Sequence, residues 1–263
     1  MNLEIIKTEA AKGLEKRTPL LFIHGSFCSA PIWRHRFMPF FSEHGHDCYA
    51  VSLRGHGKSG GDWPLHFYGL TDYVKDIQQT IEEIDETPAL IGHSLGGMVV
   101  QKYIEQYECA GAILLNSLPP SGAFSSIIHM ITASPELYWA LNSAMMFSTD
   151  LMSFDALKRM LVTEDTHPAS LAEVHGLFQA ESMRALTDVT YLDIPRRQAI
   201  SGFPIAVIGG DADVMIPVTA LKETATFHGA DLEIIPGAPH AVMLDKRWKM
   251  VAERMRSWML RNL

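Results

Sequence analysis

Only three cysteines occur in the sequence, Cys28, Cys48 and Cys109. An odd number at such wide spacings matches neither a disulfide framework nor the paired CxxC of a metal knuckle, so they read as small apolar or free thiols. No run approaches the ~20 apolar residues that cross a bilayer, and the opening stretch MNLEIIKTEAAKGLEKR lacks the apolar core of a signal peptide. The expected location is cytoplasmic, with no transmembrane segment. Positive charge is also scarce. The 22 Lys and Arg are interleaved with 30 Asp and Glu, giving a net charge of −8 and no stripe that would track a phosphate backbone. Nucleic acid is therefore not an expected partner. No low-complexity tract is present, and a composition 47% apolar and 20% charged over 263 residues is that of a globular domain able to bury a core without disulfides or metals.

What is present is an alternation of short apolar, β-branched runs with helical patterns, the reading of a mostly parallel sheet with crossover helices. Strands are expected at Leu20 to His24, Cys48 to Leu53, Ala89 to Ile91, Ala112 to Asn116, Ile205 to Ile208 and Leu232 to Ile235. Val74, Ile77, Ile81 and Ile84 fall at i, i+3, i+7 and i+10, one face of a helix, and Trp248, Val251, Met255 and Trp258 repeat the pattern near the C-terminus. The rhythm breaks between Leu118-Pro119-Pro120 and Ser201-Gly202, where helical spacing continues without a convincing strand. The expected organisation is a core made of residues 1–118 and 201–263, with residues 119–200 inserted as a helical cap. Within the insertion, Ser134-Pro135 reads as an N-cap and first-turn proline, and Phe154, Leu157 and Leu161 as an apolar face. Met130, Met145, Met146, Met152, Met160 and Met183 can line an adaptable apolar pocket or be ordinary core.

Two glycine motifs compete for the chemistry. Gly55-His56-Gly57-Lys58-Ser59-Gly60 satisfies GxGxxG after an expected strand, but a dinucleotide turn needs a helix to begin inside the motif, and Gly61-Asp62-Trp63-Pro64 cannot continue one. The second motif, Gly92-His93-Ser94-Leu95-Gly96, is a GxSxG pentapeptide with an apolar strand before it and helical spacing after it. Small residues on both sides permit a sharp strand-to-helix turn that points Ser94 out of the sheet, with the N–H of Leu95 facing it at the helix N-terminus. A serine nucleophile needs a base, and the base needs an orienting acid. Downstream, Asp211 and Asp213 follow one expected strand and His240 follows the next, the chain order Ser, acid, His. At this point either acid fits.

With these residues in place the sequence resembles the α/β-hydrolase family over nearly the whole chain outside the insertion. The resemblance rests on His24-Gly25-Ser26, Arg54-Gly55-His56-Gly57-Lys58-Ser59, the Gly92 to Gly96 elbow, Gly210-Asp211-Ala212-Asp213 with Pro217, and Pro239-His240. It implies an α/β fold with a helical cap and a serine hydrolase cleaving small to medium hydrophobic carboxylic esters, of the carboxylesterase or lipase kind, with Ser94, Asp213 and His240 catalytic. The family spacing Gly-x-x-Asp-x-x-x-Pro selects Asp213 over Asp211. The oxyanion hole would be the backbone N–H groups of Ser26 and Leu95, and Phe27, Val214, Met215 and Met243 would line the substrate pocket. His24 and His93 would support loops, and no metal or cofactor is expected. One departure is Ser52, where many members carry Asp. The same site also serves carbon–carbon bond hydrolases, lactonases, perhydrolases and hydroxynitrile-lyase-like enzymes, and a slow-turnover small-ligand receptor on this fold is a reading from another class. Multiple turnovers on simple esters separate the enzyme from the receptor.

Overall fold

The computed structural model describes residues 1–166, 178–200 and 202–263. Ser201, the expected start of the second core segment, and part of the insertion itself lie outside the described residues. Seven strands form one sheet: β1 (Glu4–Thr8), β2 (Arg17–Ile23), β3 (His46–Ser52), β4 (Ala89–His93), β5 (Gly111–Leu115), β6 (Ile205–Gly210) and β7 (Asp231–Ile235), in the order β1-β3-β2-β4-β5-β6-β7. Every neighbouring pair is parallel except β1 with β3. Central strands β4 and β5 are buried throughout, which is why they read as continuous apolar runs rather than alternating ones. One apolar cluster packs on each face of the sheet, around Tyr73, Ile77 and Leu221 on one side and Trp33, Phe41 and Trp258 on the other.

The helices covering the faces are α1 (Phe37–Ser42), α2 (Leu70–Ile84) and α3 (Leu95–Ile104). Between β5 and β6 the described residues hold helices and no strand: α4 (Phe124–Ala133), α5 (Pro135–Met146), α6 (Phe154–Leu161) and α7 (Met183–Thr187). Two more, α8 (Val218–His228) and α9 (Trp248–Asn262), complete the fold. Helices α4, α5 and α6 share their own apolar cluster, centred on Met130, Leu137, Leu157 and Met160. Among the described residues no helix is long and apolar enough to cross a membrane.

Strand β1 is absent from the sequence expectation. It lies at the sheet edge with its residues only partly buried, and Glu4 and Lys7 break the apolar pattern that marks the inner strands. Its role shows in its register with β3, where Glu4 stands opposite Ser52. The Ser52 hydroxyl donates to the Glu4 carboxylate at 2.6 Å and accepts from the Ala30 N–H, while the Lys58 N–H donates to the same Glu4 oxygen. The 55–60 glycine motif is therefore a loop fastened to the sheet edge, and the next α-helix, α2, starts only at Leu70.

Within the insertion Ser134 is the N-cap of α5 and Pro135 opens the helix, as expected, while the Ser134 N–H also closes α4 by donating to Met130 O and its side chain makes no capping bond. Phe154 is exposed rather than part of a buried α6 face, whereas Leu157 is buried. The methionines divide: Met130, Met145 and Met160 line a cavity, Met152 is core, and Met146 and Met183 are exposed.

Candidate active site

Strand β4 ends at His93 and α3 begins at Leu95, leaving Ser94 alone in the turn with φ 54° and ψ −119°. A non-glycine residue in this region stores strain and persists only where its surroundings hold it. Here Ser94 N–H donates to Leu115 O, and Ser94 O accepts from the N–H groups of Gly97 and Met98. Gly96 is required by close approach, since a Cβ there would lie 2.4 Å from His24 O. The turn thus packs directly against the loop that follows β2.

His240 lies in the loop after β7, and its Nε2 is 3.1 Å from Ser94 Oγ. Its Nδ1 is 2.8 Å from Asp213 Oδ2, in the loop after β6. The two loops meet through the Ala212 N–H, which donates to Ala238 O. An ionised Asp213 accepts only, which places the His240 proton on Nδ1 and leaves Nε2 free to accept from the serine hydroxyl. All three side chains are buried. Burial pushes the Asp213 carboxyl up, but the His240 ring and the hydrogen bonds from Ile216 N–H and Asn116 Nδ2 outweigh it and hold the group below its ordinary range. Its other oxygen accepts from Met215 N–H and Ile216 N–H. Asp211, the other acid considered, accepts instead from Gly237 N–H at 2.6 Å and is exposed.

His93 and His24 are fully enclosed, and in each the pKa is lowered to about 3, by burial first and by a neighbouring histidine second. His93 Nε2 donates to His240 O, with the two rings 4.8 Å apart. His24 Nε2 accepts from Leu53 N–H while its Nδ1 donates to Gly25 O, so one neutral ring ties the loops after β2 and β3 together.

Ser94 and His240 open into a cavity of about 200 Å³ whose wall includes Ser26, Phe27, Met130, Leu157, Met160 and Met215. Of the four expected pocket residues, Phe27 and Met215 line it. Val214 packs against the α4–α6 cluster instead, and Met243 is buried in the core behind the sheet, because the chain turns inward directly after His240. Leu95 presents no side chain to the cavity. Its N–H opens α3 and so has no intrahelical acceptor, and neither it nor the Ser26 N–H donates to another described residue. Among the described residues no cluster of His, Cys, Asp and Glu could hold a metal ion. Asn116, at the end of β5, was not foreseen, although a polar residue at the carboxyl end of a parallel strand is where this fold gathers its sites.

A mostly parallel sheet with a strained serine turn after β4, and an acid and a histidine after β6 and β7, defines an α/β-hydrolase architecture. The chain belongs to the alpha/beta hydrolase family, whose sequence profile matches residues 20–254. It is 27% identical over 223 residues to a monoacylglycerol lipase of Mycolicibacterium smegmatis, an alignment covering 82% of this chain and 78% of that protein. In structure it is similar to an esterase from Exiguobacterium antarcticum, with a TM-score of 0.76 at 18% identity over 98% of this chain and 95% of the other. A monoacylglycerol lipase of Paleococcus ferrophilus gives a TM-score of 0.69 at 18% identity over the full length of both.

Proposed function

We propose that the chain is a serine hydrolase that cleaves carboxylic esters of a single apolar acyl chain. The observation that carries this reading is the buried line Ser94 Oγ, His240 Nε2, His240 Nδ1 and Asp213 Oδ2, with its serine end open to an apolar cavity. In the proposed reaction His240 takes the Ser94 proton as Oγ attacks the ester carbonyl, and Asp213 offsets the charge gained by the imidazole. The backbone N–H groups of Ser26 and Leu95 stabilise the oxyanion, since neither donates to another described residue and one stands at a helix N-terminus. The alcohol leaves with the proton from His240, and water then releases the acid from the acyl-serine by the same route.

The cavity supports the substrate class. Its wall is mostly apolar, with Met and Leu among the lining side chains, and its volume of about 200 Å³ is below the ~300–1,000 Å³ of pockets for drug-sized ligands. A short to medium acyl chain fits such a space. The similarity to a monoacylglycerol lipase points the same way, to a one-chain ester with a small polar alcohol. Residues 119–200 act in this reading as the cap, with α4, α5 and α6 supplying the acyl-facing wall.

The test is hydrolysis of a p-nitrophenyl ester series from acetate to palmitate by the wild type and by Ser94→Ala. Turnover that peaks at short to medium chains and disappears in the variant is the expected result. Equal inactivity of both proteins, or activity that survives the substitution, would sink the proposal.

A further inference from the structure

Glu181 is a buried carboxylate that the proposed reaction does not use. Its surroundings are crowded with donors. Tyr73 Oη donates to Oε1 at 2.8 Å, the Ser182 N–H donates to Oε1 at 2.7 Å, and the Phe27 N–H donates to Oε2 at 3.3 Å. His56 Nε2 lies 3.3 Å from Oε2, with both side chains fully enclosed. Burial alone pushes the Glu181 carboxyl up and the His56 ring down. Each is carried past its ordinary value in the opposite direction by the other's charge, so the two form a buried ion pair. Removing charges from water is costly and needs dense pairing to offset it, and one of the donors that supply it, the Phe27 N–H, belongs to the loop beside Ser94.

That loop runs from Gly25 to Ser29. The segment 178–182, which lies within the insertion and leads into α7, holds it on several sides. Gln179 N–H donates to Phe27 O at 3.0 Å and Gln179 Nε2 to Cys28 O at 2.8 Å, while Gln179 Oε1 accepts from Gly57 N–H. The Phe178 and Phe27 rings pack with centroids 5.2 Å apart. Both backbone polar groups of Phe27 are thus taken up by residues 179 and 181. Phe27 has φ 61°, a left-handed backbone unfavourable for a bulky residue unless something fixes it. Next to it in sequence is Ser26, whose N–H is the proposed oxyanion donor, and before that Gly25, where an added Cβ would lie 3.0 Å from Ser94 Cβ. The loop is too close to the serine for its conformation to be indifferent to the reaction.

We infer that Glu181 is a positioning residue: its buried carboxylate clamps Phe27 in the left-handed conformation and so aims the Ser26 N–H at the developing oxyanion. The inference rests on the proposed ester hydrolysis for its catalytic consequence, though not for the clamp itself. Because the clamp comes from a segment of the insertion, transition-state stabilisation in the core depends on how that segment is seated. Substrate binding depends on it less, because Phe27 and Phe178 are only a small part of a cavity wall supplied mainly by other residues.

Glu181→Gln is the discriminating variant. Its amide oxygen can still accept from Tyr73 and Ser182, but its NH2 then faces the Phe27 N–H and His56, so the shape is kept and the clamp is lost. Two readouts are taken on the full chain: hydrogen–deuterium exchange of the peptide spanning Phe27, and kinetics on p-nitrophenyl butyrate. The expected result is faster exchange at Phe27, kcat lower by about 10- to 100-fold, in the range for one lost oxyanion donor or somewhat below it, and KM within about twofold of wild type. Glu181→Asp, which keeps the charge on a shorter arm, is expected to recover part of kcat. Unchanged exchange, unchanged kcat, or a rise in KM alone would overturn the inference. If wild type shows no Ser94-dependent turnover while exchange at Phe27 rises in the variant, the ester reading fails and the clamp stands. Turnover in wild type with no change in exchange gives the reverse. Should Glu181→Gln not fold, Tyr73→Phe removes a single donor from the carboxylate and is expected to move both readouts the same way by less; no movement in either would also overturn the inference.

Discussion

Asn116 Nδ2 donates to Asp213 Oδ2 at 2.8 Å, the same oxygen that faces His240 Nδ1. The acid is therefore oriented from both sides, by the ring it serves and by an amide at the end of β5. Asn116 itself has φ 44°, a backbone that Asn tolerates better than most residues. Its N–H donates to Ile208 O, which ties the ends of β5 and β6 together under the site.

Replacing Asn116 with Ala should therefore act on the carboxylate rather than on substrate contacts, because Asn116 does not line the cavity. A hydrogen bond to a charged group contributes about 1.5–3 kcal/mol. Loss of kcat by roughly 10- to 100-fold with little change in KM is expected from steady-state kinetics. A rise in KM with kcat intact would show that the amide acts elsewhere.

The two acids after β6 should separate cleanly. Asp213→Asn removes the acceptor that sets the His240 tautomer and is expected to lower kcat by about 10³–10⁴-fold. Asp211→Asn disturbs only a turn contact with Gly237 and should leave kcat within a few-fold while shifting thermal stability slightly. Parallel losses in both variants would count against assigning distinct roles to them.

Met130 is buried between the α4–α6 cluster and the cavity. Met130→Ala should lengthen the acyl chain that is hydrolysed best, since the missing side chain adds space to the wall. The same truncation should destabilise the protein by about 2–5 kcal/mol, the usual range for a large-to-small change in a core. The ester series and a urea titration read the two effects separately, and a chain preference unchanged from wild type would place the acyl group elsewhere.

His24 and His93 carry folded-state pKa values lowered to about 3, against an ordinary value near 6.5 when the chain is unfolded. Between these values the unfolded chain binds protons that the native protein does not. Stability is therefore lost as pH falls below 6.5, each ring adding a slope that approaches about 1.4 kcal/mol per pH unit. Urea unfolding at pH 7, 6 and 5 should show a steepening decline, reduced in His93→Asn. A flat profile would mean that these rings take up protons without leaving the fold.

Strands β2 to β7 were legible because they are either buried on both faces or flanked by turn residues, so their apolar runs stand out. Strand β1 was not, because an edge strand with partners on one side need not be apolar, and its Glu4 is there for a contact with Ser52 that no local pattern encodes. The placement of Ser94, Asp213 and His240 at strand ends could be read from spacing, since parallel strands deliver their carboxyl ends to one edge. Asn116 and Glu181 could not, because each matters through a partner roughly 100 or more positions away. Met243 was misplaced for the opposite reason: closeness to His240 along the chain does not survive a turn that carries the next residues into the core.

The Glu4 and Ser52 pair has a further consequence. The family resemblance implies an Asp at position 52, whereas here the carboxylate arrives from the neighbouring strand and the serine donates to it. Placing that residue here by Ser52→Asp would set two carboxylates against each other beside the Lys58 N–H, and like charges directly opposite on paired strands are destabilising. The two positions thus behave as a single inheritable unit: a chimera that borrows its first strand from a relative must bring residue 52 with it, and consensus design applied one position at a time would here weaken the protein it sets out to improve.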